Sequence, residues 1–284
     1  MIIGKEMTDL HTHILPCIDD GARTIEIAIQ MLEKEIEQGV KTVVFTPHYY
    51  GQKHSPQQFL ERREKSYEML KNTVAGMDIT VRLGAEVYIS SQEIASSQDL
   101  EQLAIEGTNY ILIELPLTSV WSKALFQRLA EFIEKIDKIP IVAHVERYAE
   151  IKKHPEYHNL LANMGCLLQM NTSAFIDERT RKFAFLLVDK GLSHCLATDC
   201  HDLIHRPCDY KTAKSIFEEN RRAMQNLLEH TTMVLRPHYK SHKCAAIAHM
   251  QMADGAVGMT CDELAQFAKT DKWVDVCKGW QSEE

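Results

Sequence analysis

The chain has 284 residues, 45% of them apolar and 25% charged, which is enough for a core in one large domain or two small ones. A net charge of −8 argues against a broad nucleic-acid-binding surface, and eight scattered cysteines without a C-x-x-C pair are typical of free cytosolic thiols. The N-terminus lacks an apolar signal-peptide core and no stretch approaches about eighteen apolar residues, so we expect a cytoplasmic protein without membrane insertion.

Short apolar, β-prone runs alternate with longer amphipathic segments along most of the chain. In chain order we predict a strand at Met7–His11, a helix at Thr24–Gln38, a strand at Val40–Thr46, a helix at Pro56–Val74, strands at Ile79–Leu83 and Tyr110–Leu115, a helix at Lys123–Lys135, a strand at Ile139–Ala143, a helix at Pro155–Met164, a strand at Cys166–Met170, a helix at Thr180–Lys190, a strand at Cys195–Thr198 and a helix at Tyr210–Glu229. This alternation predicts parallel β–α–β units. Because the sequence has no G-x-G-x-x-G motif, a closed barrel is favoured over an open doubly wound sheet.

Histidines and acids recur at or just after the ends of these strands, where parallel α/β folds place their active sites. They are His11, His13, Asp20, His48, Glu86, Glu114, His144, Asp199 and His201. Residues two apart on a strand face the same side, so His11 and His13 point together. Burying an unpaired carboxylate is costly, and Glu114 lies inside the apolar run ILIEL. Shared metal ions would relieve all of these groups together.

Each of these residues, taken singly, also has a structural explanation. A histidine at a strand end is more often hydrogen-bonded than metal-bound, Glu86 can pair with Arg82, and Asp19 and Asp20 before Gly21 are typical of a turn. The recurrence of nitrogen and oxygen ligands at one end of the fold favours the metal site. Histidines in polar or helical segments keep the structural interpretation; they are His54, His154, His158, His205, His230 and His249.

Six segments, in order over about residues 7–230, resemble the metal motifs of the polymerase and histidinol phosphatase (PHP) superfamily. They are HTH at 11–13, TPH at 46–48, GAE at 84–86, Glu114, AHVER at 143–147 and TDCH at 198–201. Within that superfamily, HTHILPCIDDGART at 11–24 resembles the signature of bacterial capsule-type, manganese-dependent tyrosine-protein phosphatases. Cys17, Tyr49 and Val145 depart from the family pattern, but none of them is a proposed ligand.

The resemblance implies a distorted (β/α)7 barrel of the PHP type with a trinuclear metal site at the carboxyl ends of its strands. It implies that the first ion is held by His11, His13, Glu86 and Asp199. Glu86 bridges to a second ion held with Glu114 and His144. The third ion would be held by Asp20, His48 and His201. Two further residues, Arg147 and Arg206, match the family's phosphate-contacting arginines.

The same resemblance implies metal-dependent hydrolysis of phosphotyrosine in proteins, with a bacterial tyrosine kinase of capsular or exopolysaccharide synthesis as the partner. The ligands suit up to three Mn²⁺ ions, with Fe or Zn as alternatives. We assign Arg147 and Arg206 to the phosphate oxygens and Asp20 to protonation of the leaving oxygen. The competing hypotheses are a small-molecule phosphatase, such as a histidinol phosphatase, and a non-catalytic metal-binding scaffold. The oligomeric state, a homo-oligomer included, is left open.

Two segments imitate the cysteine phosphatases, Cys17-x5-Arg23 and Cys200-x5-Arg206. That chemistry needs a thiolate in a cradle of backbone N–H groups. The first segment contains two carboxylates that would repel phosphate, and the second has no glycine between its cysteine and its arginine. We therefore disfavour a cysteine nucleophile.

We divide the chain into a metallophosphatase barrel at residues 1–232 and an extension at 233–284. The extension resembles the segment around the pyridoxal-phosphate lysine of D-threonine aldolase or D-serine dehydratase-like enzymes, with Lys240 at the Schiff-base position. Those enzymes need a complete barrel to hold the cofactor, so the extension is predicted to be an incomplete fragment without a working cofactor site.

Overall fold

The computed structural model of the protein describes residues 7–90 and 98–228. Its strands there are β1 (Met7–Thr12), β2 (Val40–Phe45), β3 (His48–Tyr49), β4 (Thr80–Leu83), β5 (Glu86–Tyr88), β6 (Tyr110–Glu114), β7 (Ile139–Val142), β8 (Leu167–Asn171) and β9 (Cys195–Ala197). Its α-helices there are α1 (Ile25–Gln38), α2 (Pro56–Glu68), α3 (Lys71–Val74), α4 (Lys123–Lys135), α5 (Ala149–Lys153), α6 (Glu156–Asn163), α7 (Ser173–Ile176), α8 (Glu178–Asp189) and α9 (Tyr210–Leu228).

The ends of the long helices follow from local sequence. The Thr24 side chain accepts a hydrogen bond from the first turn of α1, and Gly39, at φ +90°, ends the helix in the left-handed conformation. Ser55 and Gln58 form a reciprocal capping box at the start of α2. The segment predicted as one helix at Pro56–Val74 is divided into α2 and α3, because tight i to i+3 hydrogen bonds at residues 69 and 70 interrupt the α-helical pattern.

The strand pairs are parallel and fall into two sheets, with orders β1-β2-β4 and β3-β5-β6-β7-β8-β9. The two sheets share strand paths, since β3 continues β2 beyond Pro47 and β5 continues β4 beyond Ala85. Backbone hydrogen bonds carry the pairing across both interruptions, from Gly84 N to Phe45 O at 2.8 Å and from Glu86 N to Pro47 O at 3.1 Å. The two sheets therefore form one continuous surface.

The first and last strands meet just beyond β9. Thr12 forms a parallel bridge with Cys200, Asp199 N donates to His11 O at 2.8 Å, and His13 N donates to Cys200 O at 2.9 Å. These bonds close seven strand paths into a ring in the described part of the chain. The predicted parallel α/β fold is confirmed, and the ring is distorted because it closes through a loop and not through a full ladder.

The barrel interior below the site is filled by a small apolar cluster. Its buried members are Val44, Ile105, Leu112, Ile141 and Ala143, with Leu10, Leu167 and Cys195 packed against them. Leu112 and Leu167 precede the polar residues Glu114 and Gln169 by two positions on their strands, so they point to the same side one layer lower. An apolar floor thus supports a polar upper layer, and two larger clusters pack the helices against the outside of the barrel.

All seven predicted strands are present with each boundary shifted by at most one residue, while β3, β5, α5 and α7 were not predicted. None of the helices within residues 7–90 and 98–228 is long and apolar enough to cross a membrane. The predicted boundary at residue 232, the extension at 233–284 and Lys240 all lie outside the described residues, so the division into domains stays a prediction.

Candidate metal centre

All nine residues predicted as metal ligands converge at the carboxyl ends of the strands. Glu86, at the start of β5, is buried at their centre. Its Oε2 atom lies 3.3 Å from Nε2 of both His11 and His13 and 2.9 Å from His48 Nδ1, while its Oε1 atom lies 3.0 Å from His144 Nε2. One carboxylate thus meets four imidazoles, which is the geometry expected of a group that bridges two cations.

Asp199, beside Glu86, is a second carboxylate that several imidazoles approach. Its Oδ1 atom lies 3.3 Å from His11 Nε2, 3.5 Å from His13 Nε2 and 3.5 Å from His201 Nδ1. The backbone of Asp199 is left-handed at φ +55°, and so is that of His144 at φ +33°. Non-glycine residues in this conformation are strained, and such strain concentrates at functional sites.

Asp20 and Glu114 lie at the edge of the centre. Asp20 is 64% exposed, and its Oδ1 atom lies 3.5 Å from Nε2 of both His48 and His201. Glu114, at the end of β6, lies 3.5 Å from His144 Nε2 through its Oε1 atom. The most exposed ligand candidate therefore stands at the mouth, and the others line the walls.

The donor atoms fit metal ions. Three groups each bring their ligand atoms within 4.8 Å of one another: His13 with Asp20, His48 and His201; His11 with His13 and Glu86; and His48 with Glu86 and Glu114. Several buried atoms aimed into the centre make no hydrogen bond; they are His48 Nδ1, Glu86 Oε2, Asp199 Oδ1 and His201 Nε2. Imidazole nitrogens and carboxylate oxygens without thiolate are the ligand set of Mn, Fe or Zn.

The electrostatic field of the centre favours positive charge. Burial would lower the pKa of His11, but the charges of Glu86 and Asp199 outweigh it and raise this pKa to about 9. Burial and the charge of Glu86 raise the pKa of Glu114 to about 7. The carboxylates thus lie close enough together for their negative charges to favour a bound cation, as expected of a pocket that binds several cations.

Arg147 and Arg206 both reach the outer oxygen of Asp199. Arg147 Nη1 lies 3.0 Å and Arg206 Nη2 lies 2.5 Å from Asp199 Oδ2. Each side chain is about one-third exposed, at 38% and 34%. The two guanidinium groups therefore stand side by side at the rim, anchored through Asp199 and open to the mouth of the centre.

Asp19 was interpreted from sequence as turn chemistry, and the structure gives it a larger role. Its Oδ2 atom lies 2.7 Å from His13 Nδ1 and accepts from His48 N at 3.0 Å, while its Oδ1 atom accepts from Gly21 N at 2.9 Å. Burial would raise the pKa of Asp19, but His13 outweighs it and lowers this pKa to about 2. Carboxylates that orient metal-binding imidazoles in this way are common, and the position of the acid next to Asp20 in HTHILPCIDD was the available signal.

Gln169 and Asn171 on β8 were also missed. Gln169 Oε1 lies 3.1 Å from His11 Nδ1 and accepts from His144 N at 2.9 Å. Gln169 Nε2 donates to Asn171 Oδ1, and Asn171 Nδ2 donates to Asp199 Oδ2, both at 2.9 Å. This chain of amides links the ligand candidate His11 on β1 to His144 just after β7 and Asp199 just after β9. Polar residues at alternate positions of the apolar strand LLQMN were the signal for it.

The structure disfavours both cysteine-phosphatase segments. Cys200 is buried, its Sγ donates to Glu35 Oε1 at 3.4 Å, and burial raises the pKa of its thiol well above the ordinary value. Cys17 Sγ donates to the backbone oxygen of Arg23 at 3.0 Å. The buried, protonated thiol of Cys200 is a poor nucleophile, whereas Arg206 pairs with the ligand candidate Asp199.

Known tyrosine phosphatases are similar to this chain in sequence and in fold. The chain is 27% identical over 247 residues to tyrosine-protein phosphatase CpsB of Streptococcus agalactiae, covering 82% of this chain and 100% of that protein. A solved chain of the metal-dependent tyrosine phosphatases YwqE from Bacillus subtilis and CpsB from Streptococcus pneumoniae superposes with a TM-score of 0.64 at 28% identity, covering 75% of this chain and 87% of the solved one.

A separate 50-residue stretch, 18% of this chain, is 46% identical to D-threonine aldolase from Arthrobacter sp and covers 13% of that enzyme. Residues 7–230 match the family model for capsular polysaccharide synthesis, CpsB/CapC, which takes in all nine ligand candidates and both arginines. The chain belongs to the CpsB/CapC family.

Proposed function

We propose that this chain is a metal-dependent phosphatase that hydrolyses phosphotyrosine in proteins. The observation that carries the proposal is the convergence of nine imidazole and carboxylate ligands beside two arginines at the end of a parallel barrel. The relatives named as tyrosine-protein phosphatases support the same reaction. A bare metal store would gain nothing from the paired arginines, which argues against the scaffold hypothesis.

The proposed metal ligands and the two arginines have different roles in phosphate hydrolysis. Bound metal ions supply an activated water and neutralise the phosphate charge. Glu86, Asp199 and the imidazoles hold these ions, and Mn²⁺ is the ion we propose, with Fe and Zn as alternatives. Arg147 and Arg206 bind the non-bridging phosphate oxygens, because a planar guanidinium matches two oxygens at once.

Asp20 is better suited to binding a cation than to donating a proton. The nearby imidazole of His201, followed by those of His48 and His13, lowers the pKa of Asp20, so its carboxyl is ionised near neutral pH. A phenol has a pKa of about 10, so phenolate leaves with less protonation than an alkoxide needs. We therefore propose Asp20 as a cation ligand in place of the general-acid role expected from the sequence.

We further propose that the substrate is a bacterial tyrosine kinase of capsular polysaccharide synthesis and that the chain acts in the cytoplasm. The family description supports the link to capsular polysaccharide synthesis, and the relatives named as tyrosine-protein phosphatases support a phosphotyrosine-bearing partner. All five cysteines in the described residues are free, which is usual for a reducing compartment.

The direct test is a steady-state comparison of a phosphotyrosine peptide with histidinol phosphate, with Mn²⁺ present and with a chelator. We expect a higher kcat/KM on the peptide, loss of activity with chelator and recovery on adding Mn²⁺. A higher kcat/KM on histidinol phosphate would replace our proposal with the small-molecule phosphatase. Activity that is insensitive to chelator would remove the metal from the proposal.

A further inference from the structure

Two tyrosines follow ligands of the metal centre on neighbouring strands. His48 on β3 and Glu86 on β5 are register partners. Tyr50 and Tyr88 come two positions after them, and Tyr88 is the register partner of Glu114. Because residues two apart on an extended chain face the same side, both phenol rings belong to the layer above His48 and Glu86, level with Glu114 and toward the mouth of the barrel.

Ring contacts support this placement. The centroid of the Tyr50 ring lies 5.4 Å from that of His48 and 5.6 Å from that of Tyr88. Both tyrosines are half-buried. Each ring therefore exposes part of its aromatic surface toward the mouth of the barrel, and the rest of the ring is packed against neighbouring residues.

The surroundings of the pair keep it in place. The ammonium of Lys53 lies 4.4 Å from the centroid of the Tyr50 ring. Gln52 Nε2 donates to Ser90 Oγ at 3.3 Å, which ties the loop after β3 to the segment after β5. A cation on the ring and a bond between the two segments give the pair a fixed orientation.

The chemistry of the ligand layer does not require aromatic neighbours. The two arginines and metal ions held by the histidines and carboxylates would suffice to bind a phosphate, whereas the ester substituent of that phosphate must extend out through the mouth. A flat apolar surface at that height contacts a phenyl ring well and gives little to a short alkyl chain. The layer above the ligands is thus suited to selecting the alcohol part of the ester.

We propose that Tyr50 and Tyr88 form an aromatic wall that contacts the phenyl ring of phosphotyrosine, and that this wall makes the site prefer aryl over alkyl phosphate esters. The inference rests on the proposed phosphatase function and assigns its substrate specificity to two residues outside the predicted ligand set. Tyr50 is the main contact, since its ring lies beside His48, and Tyr88 supports it from the next strand.

The first experiment separates ring recognition from chemistry. Calorimetric dissociation constants for phenylphosphonate and methylphosphonate are measured on the full chain loaded with Mn²⁺, for wild type, Tyr50→Leu, Tyr50→Phe and Tyr88→Leu. Neither compound is hydrolysed, so differences in leaving group play no part. We expect Tyr50→Leu to reduce the preference for the phenyl compound by about tenfold, Tyr88→Leu to reduce it less, and Tyr50→Phe to keep it. Tyr110→Leu is the control, because Tyr110 is 38% exposed and begins β6, at the end of that strand opposite Glu114.

The second experiment measures kcat/KM on two peptides of one sequence that carry phosphotyrosine or phosphoserine. Selectivity is the kcat/KM on the phosphotyrosine peptide divided by the kcat/KM on the phosphoserine peptide. Dividing the selectivity of each variant by that of wild type cancels the intrinsic difference in reactivity between the two esters. We expect Tyr50→Leu to lose selectivity mainly through a higher KM for the phosphotyrosine peptide. Equal losses on both peptides, or equal weakening of both phosphonates, would overturn the aromatic wall. A wild-type protein that binds phenylphosphonate preferentially but does not hydrolyse phosphotyrosine would contradict the proposed function alone.

Discussion

His13 Nδ1 lies 2.7 Å from Asp19 Oδ2, and the same oxygen accepts the backbone N–H of His48 at 3.0 Å. One carboxylate therefore fixes the ring of one proposed ligand and the backbone of another. It leaves His13 Nε2 directed at Glu86 and Asp199.

Replacing Asp19 with asparagine should weaken metal binding without unfolding the protein. The amide keeps the size of the carboxylate but loses the charge that orients His13, and outer partners of this kind are worth about 10- to 100-fold in metal affinity or activity. Metal titration followed by chelator competition measures the change. Asp78→Asn is the matched control, since its side chain is 82% exposed and pairs with Lys41 at the far end of the barrel. Equal affinities for the two variants would remove the orienting role.

Glu86→Ala should be the most damaging carboxylate change in the centre. Glu86 is the carboxylate that approaches four imidazoles, so its loss affects two of the proposed ions at once. We expect kcat/KM to fall by more than about 100-fold, beyond the range of an outer partner. Elemental analysis should show fewer bound metal ions than in Glu114→Ala. Full metal content in Glu86→Ala would contradict the bridging role.

Cys200→Ser should keep turnover within a few-fold of wild type. Cys200 is buried and donates to Glu35, and serine can keep that hydrogen bond. Steady-state kinetics with metal analysis of the same sample measures the effect, with Cys17→Ser as the second variant. Loss of all turnover in a Cys200→Ser protein that retains its metal would instead support a cysteine nucleophile.

Stability should fall as pH rises because of Glu35 on α1. Burial and the charge of Asp9 raise the pKa of Glu35 well above 4.5. Above about pH 4.5 the unfolded chain releases this proton while the folded chain keeps it, so the free energy of unfolding decreases until the folded pKa is passed. The decrease is at most about 1.4 kcal/mol per pH unit.

Glu35→Gln should remove part of this decrease. Urea unfolding at several pH values between 5 and 8, at saturating metal, gives the difference between variant and wild type. Glu37→Gln on the same helix is the control, since the Glu37 side chain is 64% exposed. A difference between Glu35→Gln and wild type that does not grow with pH would contradict a proton held on Glu35.

Truncation after His230 should leave phosphatase activity within a few-fold of the full chain. Every proposed ligand and both arginines precede that position. The full chain mixed with pyridoxal phosphate should show no absorbance band that depends on Lys240. A folded truncated protein without turnover, or a Schiff base lost in Lys240→Ala, would give the extension a function that we have not assigned to it.

Sequence patterns located the ligand-bearing ends of the strands because chemistry and periodicity coincide there. His11 lies near the end of β1 and His13 directly follows that strand, and Thr24 and Gly39 mark the ends of a helix whose cap geometry is local. The amide chain of Gln169 and Asn171 could not be predicted in the same way. Its partners come from other strands, and the direction of an amide is decided only when those strands meet.

The contact that closes the barrel also determines the stage of protein synthesis at which the site can form. Asp9 accepts hydrogen bonds from the backbone and hydroxyl of Thr198, 189 positions later in the chain. His11 and Asp199 stand next to this contact, so a ribosome must make almost the whole barrel before both sides of the centre are present. Contacts so distant in sequence form late because the intervening chain has to be ordered first. A nascent chain that has not reached residue 201 lacks part of the cluster, so complete metal loading can follow only once the barrel sequence has been made.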